Sequence, residues 1–255
     1  MTAPATDPVP KAVLARGLRL LDAFGPDDVE LSLAELAARS GLPKPTALRL
    51  LGELTVWGAL DRSESGYRLG MKLFLLGQRV ARTRTLRDAA LPYMEDLYEA
   101  THENVHLAVS DDSHTLFVEK VSGRESAPIE SRVGGRLPAH CTATGRVFLA
   151  AGSDQDLRRV IDNGLRRCTP RTIVLPGLLR QELDRTLERG YGVNYEEVEV
   201  GVSAVGAPVF GKDGRVVAAI SITGRTSRVT AERVAPAVVT AARGLSRELV
   251  AAGTH

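Results

Sequence analysis

Lys44, Thr46 and Arg49 are the residues of this sequence best suited to contact a nucleic acid. They lie on a stretch whose apolar residues recur at helical spacing, and we expect all three to face away from its buried stripe, Leu48, Leu51 and Leu54. Cationic and hydroxyl side chains bind phosphate oxygens and base edges. The pattern is consistent with a DNA-reading helix. On these residues alone, an ordinary pair of packed helices is an equally good interpretation.

The sequence lacks the signatures that would indicate an enzyme. It contains no G-x-S-x-G, Walker, G-x-G-x-x-G or H-E-x-x-H motif. The histidines are not spaced as a metal-ligand set: His106, His114 and His140. Cys141 follows His140, but neighbours on a strand point to opposite faces, which argues against a Cys–His catalytic pair. We predict no catalytic residue, metal site or cofactor, and an enzyme hypothesis would have to rely on Glu196, Glu197 and His140.

Two groups of polar residues could instead bind a small anion. Residues 142–145 (TATG) stand where a helix is expected to begin, and the free amides of a helix start attract carboxylates. Ser221 and Thr223 are two apart on an otherwise apolar strand, so they share one face. If that face points inward, both hydroxyls need partners, which either a ligand or the neighbouring strand can supply.

The elements that would position Lys44 and Arg49 are two short helices joined by a tight turn. Ser32 and Glu35 form a capping box that begins the first helix, and Gly41 supplies the left-handed residue that ends it. Pro45 suits the first position of the second helix, where its missing amide hydrogen is not needed. This order matches the helix-turn-helix of DNA-binding proteins.

A short hairpin is predicted directly after these helices. Residues 59–60 and 67–69 read as strands around a polar turn, which is typical of the wing of a winged helix. Arg62 and Arg68 on this wing would reach the minor groove or its phosphates, and Arg16 would add a contact from the first helix. We expect Trp57, the single tryptophan, to pack beneath the wing.

The remaining elements follow from changes in hydrophobic period. Residues 1–10 are rich in proline and alanine and are predicted to be disordered. Helices are expected over 11–24, over 70–84 as a linker, and over 86–101 with a break or start at Pro92. Beyond residue 104 we predict strands at 105–109, 115–121 and 127–133 and a hairpin around Asp213-Gly214. We predict helices at 146–151, from Ser153, before Gly190 and from Thr230. This order indicates an α+β domain with a mainly antiparallel sheet.

Composition and charge are those of an ordinary globular protein with one basic segment. The 255 residues carry a net charge of +2, but residues 32–84 hold nine Lys and Arg against four Asp and Glu. This asymmetry is consistent with a module that contacts phosphate. Two cysteines are too few for a disulfide framework, and no apolar run has the ~20 residues that span a bilayer. We therefore expect a cytoplasmic protein with reduced thiols.

The order and spacing of several segments resemble the isocitrate-lyase-regulator (IclR) family. These segments are ARGLRLLDAF, SLAELAARSGLPKPTALRLLGEL, YRLGMKLFLLG, GGRLPAHCTATGRVFLAA, ERGYGVNYEEVEVGVSAVGAPVF, DGRVVAAISITG and SRVT, and they extend over roughly residues 11–252. The resemblance implies a winged helix-turn-helix over 11–69, a linker helix over 70–84 and an effector-binding domain related to GAF and profilin-like sheets over 85–255. It also implies homodimers, often pairs of dimers, on palindromic double-stranded operators.

The resemblance also assigns candidate residues. The recognition residues would be Lys44, Pro45, Thr46 and Arg49, and the effector pocket would use Ile129, Leu137, Ala143, Thr144, Asn194, Ala204, Ser221 and Thr223. Three positions depart from the family pattern. Pro45 replaces a common serine and removes a hydroxyl and an amide donor. Asn194 stands where an acidic residue is frequent, and Ala204 replaces a frequent cysteine, so the identity of the ligand is open.

We therefore predict a ligand-responsive transcriptional regulator, in the first instance a repressor, that is controlled by a small organic acid of the aromatic or keto type. DNA affinity should fall steeply with salt. The alternatives are an enzyme acting on a small carboxylic acid and a constitutive DNA-binding protein without an effector.

Overall fold

The computed structural model describes residues 12–129 and 131–253. The predicted disorder of residues 1–10 falls outside this part of the chain. Contacts divide the chain into two compact units, Met1–Ala81 and Arg82–His255, and the division lies within the predicted linker. Among the described helices, none is long and apolar enough to cross a membrane.

The first unit contains three helices and a hairpin: α1 (Val13–Asp22), α2 (Leu33–Ser40), α3 (Lys44–Trp57), β1 (Leu60–Arg62) and β2 (Tyr67–Leu69). The predicted capping box is confirmed, because the Ser32 hydroxyl accepts from the Glu35 amide while the Glu35 carboxylate accepts from the Ser32 amide. Gly41 ends α2 in the left-handed conformation, with φ of 69°. A buried cluster that includes Leu20, Leu36 and Leu51 holds the helices together.

Three predictions for α3 need correction. Pro45 is the second helical residue rather than the first, since the helix begins at Lys44 after an N-cap at Pro43. Leu48 is 47% exposed because the packing phase of α3 buries its neighbour Ala47 and not Leu48. Trp57 is also 47% exposed, since Leu60 and Tyr67 fill the space beneath the wing, and its ring instead meets the Lys72 ammonium.

The predicted wing is confirmed as an antiparallel hairpin of β1 and β2. Residue Leu31 pairs with Tyr67 through two backbone hydrogen bonds of 3.0 and 2.9 Å and so adds a bridge to the wing. Gly66 permits this approach, because a Cβ there would lie 2.3 Å from the Leu31 oxygen. The wing is therefore attached to the segment before α2.

Two helices cover the predicted linker helix and the predicted helix over 86–101, but the boundary between them lies earlier in the chain than predicted. They are α4 (Met71–Gly77), none of whose residues is buried, and α5 (Ala81–Thr101). The predicted break at Pro92 is wrong, since α5 continues through it. Proline removes one helical hydrogen bond, but buried residues on both sides, Ala90 and Met94, anchor both halves to the core.

The second unit is built on a six-stranded antiparallel sheet with the order β5-β4-β3-β8-β7-β6. The strands are β3 (Asn104–Asp111), β4 (His114–Val121), β5 (Arg136–Pro138), β6 (Gly192–Tyr195), β7 (Val202–Phe210) and β8 (Val216–Arg225). The predicted pairings of β3 with β4 and of β7 with β8 are confirmed. One face of the sheet packs against α5 and α9 (Ala231–Ala251) in the largest buried cluster.

The predicted strand at 127–133 is wrong, and the edge of the sheet is β5 instead. The described residues of this segment cross the opposite face of the sheet, where Asn104 and Lys120 bind its carbonyls at Ala127 and Ser131. Strand β6 had no sequence prediction. It is only four residues long and is defined by its pairing with β7.

Short helices lie on this opposite side: a 3-10 turn at Ala139–Cys141, α6 (Ala143–Ala151), α7 (Asp154–Asp162) and α8 (Pro176–Arg189). Ser153 forms the expected cap of α7, and Gly190 ends α8 with φ of 79°. Helix α6 lies directly on the sheet, because Gly192 and Gly206 carry no side chain. A Cβ on Gly192 would lie 2.2 Å from the Ala143 oxygen.

Candidate DNA interface and effector site

The N-terminus of α3 is the candidate DNA interface. Lys44, Pro45 and Arg49 are exposed there, and Thr46 is half-buried. No side chain caps this helix start, and its first turn contains no acidic residue. The helix dipole disfavours a lysine at a helix N-terminus, so Lys44 does not stabilise α3 itself. The uncapped helix start and the lysine are better suited to bind an external anion.

The arginines predicted to hold the DNA backbone differ in their surroundings. Arg62 lies over the Tyr67 ring, 5.7 Å from its centroid, and is exposed. Arg68 forms an ion pair with Glu30 at 2.7 Å. Hydrogen bonds from Ser65, Ser63 and Arg68 lower the pKa of Glu30 to about 2, so the carboxylate is ionised and competes with phosphate for Arg68. Arg16 is half-buried on α1.

In the second unit, strand register places the predicted effector residues in rows across one face of the sheet. Asn194, Ala204, Thr223 and Asn104 are successive partners across β6, β7, β8 and β3. The next row runs Gly192, Gly206, Ser221, His106 and Lys120. Five strands therefore bring together residues that are far apart in the chain.

The start of α6 closes over this face. A Cβ on Gly206 would lie 3.2 Å from the Thr144 nitrogen and 3.3 Å from the Ser221 Cβ, so the helix start, the glycine and the serine adjoin. Thr142 caps α6 through the Gly145 amide at 3.1 Å. Ser221 is 2% exposed, so its hydroxyl lies inside the unit.

Asn194 is oriented by the backbone that follows it. Its Oδ1 accepts a hydrogen bond from the Glu197 amide at 2.8 Å. The side chain is 4% exposed, and the Nδ2 donors take no part in that hydrogen bond. Because the amide oxygen is already used, Asn194 presents donors to the site, whereas an aspartate would present an acceptor.

Glu197 is in turn held by a buried ion pair with Arg146 of α6 at 2.7 Å. It also accepts from the Ile173 amide at 3.1 Å. Burial raises the pKa of Glu197, while Arg146 opposes that shift. The pair connects the α6 helix to the turn that orients Asn194.

His106 is a site residue that we considered only as an isolated histidine. It is 1% exposed, and its Nε2 lies 2.7 Å from the Ser131 hydroxyl while Nδ1 lies 3.4 Å from that of Thr223. Burial, with a smaller effect of the Lys120 charge, lowers its pKa to about 3, so the ring is neutral at pH 7. Its spacing from Asn104, two residues earlier on a strand, is a sequence signal that could have placed both on this face.

The remaining predicted pocket residues are apolar. Ile129 is half-buried in the crossing segment, and Leu137 packs at the edge of an apolar cluster that includes Phe117 and Phe148. Ala143 and Ala204 are buried and add no polar group. The site therefore joins hydrogen-bond donors to an apolar cluster on the same side of the sheet.

The three residues of the enzyme hypothesis each bind a different partner. His140 binds the Arg166 carbonyl at 3.0 Å, Glu196 pairs with Arg171, and Glu197 pairs with Arg146. Within the described part of the chain, no group of three His, Cys, Asp or Glu side chains could hold a metal ion.

Comparisons with known proteins identify both units. The IclR helix-turn-helix domain model matches residues 13–64, and the model of the C-terminal domain of the bacterial transcriptional regulator IclR matches residues 78–249. The regulator XynR of Escherichia coli (strain K12) is 36% identical over 217 residues, which are 84% of this chain and 86% of XynR. The transcriptional repressor IclR of the same strain is 33% identical over 238 residues, 91% of this chain and 86% of that repressor.

A solved structure adds a ligand-bound relative. An IclR homolog from Microbacterium hydrocarbonoxydans in complex with 4-hydroxybenzoate has 31% identity and a TM-score of 0.88, and the match covers 94% of this chain and 100% of that chain. The matched family models and these relatives describe regulators rather than enzymes. This chain therefore belongs to the IclR family of bacterial transcriptional regulators, with a helix-turn-helix unit for DNA and a C-terminal unit for a small ligand.

Proposed function

We propose that the protein is a repressor that binds a palindromic operator as a dimer or a pair of dimers and responds to a small organic carboxylate. Repressor is the named role of the E. coli relative IclR, and a carboxylate is the ligand of the Microbacterium hydrocarbonoxydans homolog. The observation that carries the effector proposal is Asn194, which is buried and whose Oδ1 accepts a hydrogen bond from the Glu197 amide, leaving the donors of Nδ2 for a ligand.

Several donors beside Asn194 support an anionic ligand. The Ser221 hydroxyl and the Thr144 amide adjoin at the start of α6, where the helix dipole favours negative charge. Lys120 lies in the same row as Ser221 and donates to the Ser131 carbonyl at 2.7 Å. The apolar cluster with Phe117 would accept the hydrocarbon part of the ligand, so an aromatic acid fits better than an acid of two or three carbons.

Calorimetric titration of the full chain with 4-hydroxybenzoate, benzoate, pyruvate and a neutral benzyl alcohol tests the effector proposal. We expect a carboxylate to bind and Asn194→Asp to weaken it at least about tenfold, ~1.4 kcal/mol, because the new carboxylate would face that of the ligand. Asn163→Asp, an exposed position at the end of α7, is the matched control. Equal binding by both variants, or tighter binding of the alcohol, would contradict the proposal.

The DNA proposal rests on α3 and is tested separately. We expect selection of bound genomic fragments to return a dyad-symmetric site, and Arg49→Ala to reduce its affinity by about 1–3 kcal/mol through loss of a base or phosphate contact. Arg180→Ala, an exposed arginine of the second unit, is the control for loss of charge. Unchanged enrichment with Arg49→Ala would remove α3 from this role. DNA binding that no carboxylate alters would instead support a constitutive regulator.

A further inference from the structure

A cavity of about 490 Å³ lies in the C-terminal unit, and its lining includes neither Asn194 nor Ser221. The residues that line it include His114, Arg136, His140, Arg166, Arg167 and Cys168. Three of these residues are arginines, and none is an aspartate or glutamate. Arg136 is paired with Asp111 at 2.6 Å, so Arg166 and Arg167 carry most of the uncompensated charge.

Both cysteines of the chain meet at this cavity. Cys168 lines it and is half-buried, whereas Cys141 is buried; the Cys141 thiol donates to the Pro138 carbonyl at 3.5 Å and is close enough to interact with the Cys168 sulfur. The loop that carries Cys168 is held in place, because the Thr172 hydroxyl accepts from the Cys168 and Thr169 amides at 3.1 and 2.8 Å. The accessible thiol is therefore held at a defined position beside two guanidinium groups.

The environment favours ionisation of the accessible thiol. The hydrogen bond from Cys141 and, to a smaller degree, the Arg166 charge lower the pKa of Cys168 to about 6 against the opposing effect of burial. The same hydrogen bond and burial raise the pKa of the Cys141 thiol. These surroundings therefore favour the thiolate of Cys168, which is the nucleophilic form.

We propose that Cys168 is a covalent modification site that forms a mixed disulfide with anionic low-molecular-weight disulfides, and that Cys141 is its positioning residue. The Cys168 thiolate attacks one sulfur of the disulfide, a new sulfur–sulfur bond forms, and the old one breaks to release a thiolate. The thiol proton passes to solvent. Cys168 is oxidised while the released half of the reagent is reduced, and Arg166 and Arg167 attract the negative reagent.

Reaction of the full chain with two disulfides that differ in charge tests this site. The probes are the dianionic dithiobis(nitrobenzoate) and the neutral dithiodipyridine, with the adduct located by mass spectrometry. We expect the adduct on Cys168. In an Arg166→Gln, Arg167→Gln variant, the ratio of the anionic to the neutral rate constant should fall about tenfold. The paired variant Arg158→Gln, Arg180→Gln, whose arginines do not line the cavity, should leave that ratio unchanged.

The positioning role of Cys141 has its own readout in the pH profile of the reaction. The charged groups that act on the two thiols are Arg166, Arg146 and Glu197. We expect the midpoint of the profile to rise in Cys141→Ala and to return toward that of the wild type in Cys141→Ser, whose hydroxyl can donate the same hydrogen bond. An adduct on Cys141, an unaltered rate ratio in the Arg166/Arg167 variant, or equal midpoints in the two Cys141 variants would overturn the proposal.

Discussion

At the scale of single residues, the candidate effector site depends on polar groups whose protonation and orientation are set by burial. His106 illustrates this, because a ring that is 1% exposed and bonded to two hydroxyls is stable there only when neutral. Asn194 illustrates orientation, since one backbone hydrogen bond decides which end of its amide faces the ligand. Small changes at these residues should therefore alter pH dependence and ligand choice before they alter the fold.

The folded protein should lose stability in acid through His106. Its pKa is about 3 when folded and about 6.5 when unfolded, so the unfolded state binds more protons between these values. Stability should therefore decrease as pH falls from 6.5, by about 2 kcal/mol at pH 5. Urea unfolding at pH 7 and pH 5 measures this loss.

His106→Gln, which retains a hydrogen-bonding side chain without the titration, should show a smaller decrease between the two pH values. Burial also lowers the pKa of His114 and His140, so part of the acid loss should remain in the variant. An identical decrease in wild type and variant would show that His106 does not titrate as its burial requires.

At the scale of elements, the contact between α6 and the sheet determines whether the site exists. The helix start reaches Ser221 only because Gly192 and Gly206 leave room for its backbone. The buried Arg146–Glu197 pair then fastens α6 to the turn after β6. Helix, glycines and ion pair form one connected support for Asn194 and Thr144.

Gly192→Ala should displace α6 and destabilise the second unit by about 1–3 kcal/mol, because its Cβ would lie 2.2 Å from the Ala143 backbone oxygen. Carboxylate binding should weaken at the same time. Chemical denaturation and calorimetry measure both effects. Gly177→Ala in α8 is the control, since its Cβ meets no atom within 4 Å and alanine favours a helix. Equal stability of the two variants would argue against close packing of α6.

At the scale of the whole molecule, the apolar residues that remain exposed favour self-association. Helix α4 buries none of its residues within the described chain, and Met71, Phe74 and Leu75 are 67%, 58% and 55% exposed. On α1, Leu14 is 74% exposed. Contiguous exposed apolar residues mark interaction surfaces in soluble proteins. These residues support the proposed dimer, which would also present two α3 helices to a dyad-symmetric operator.

A Phe74→Ser, Leu75→Ser variant should therefore sediment as a smaller species than the wild type and bind a palindromic operator more weakly. Its affinity for a carboxylate should be unchanged, because Asn194 and Ser221 lie in the other unit. Sedimentation velocity and calorimetry provide the two measurements. If the variant has the sedimentation coefficient of the wild type, α4 is excluded from the interface. The control is Leu178→Ser, which replaces an exposed apolar residue on α8.

The sequence by itself determined the features that depend on neighbouring residues. The Ser32–Glu35 capping box, the left-handed Gly41 and the hairpin around Asp213-Gly214 are local arrangements, so residue type and spacing are enough to predict them. The motif order likewise indicated the family, and the resemblance supplied candidate residues for both sites. Local patterns could not predict which face of α3 is buried, because packing buries Ala47 rather than Leu48.

Only the tertiary structure decided what depends on pairing between distant strands. Strand β6 exists through its register with β7, and the described residues of 127–133 cross the sheet because Asn104 and Lys120 bind the carbonyls of Ala127 and Ser131. The meeting of Cys141 with Cys168 arises in the same way, from a contact between segments that are separated in the chain. Such contacts leave no periodic signal in the sequence, because each one is specified by the fold as a whole.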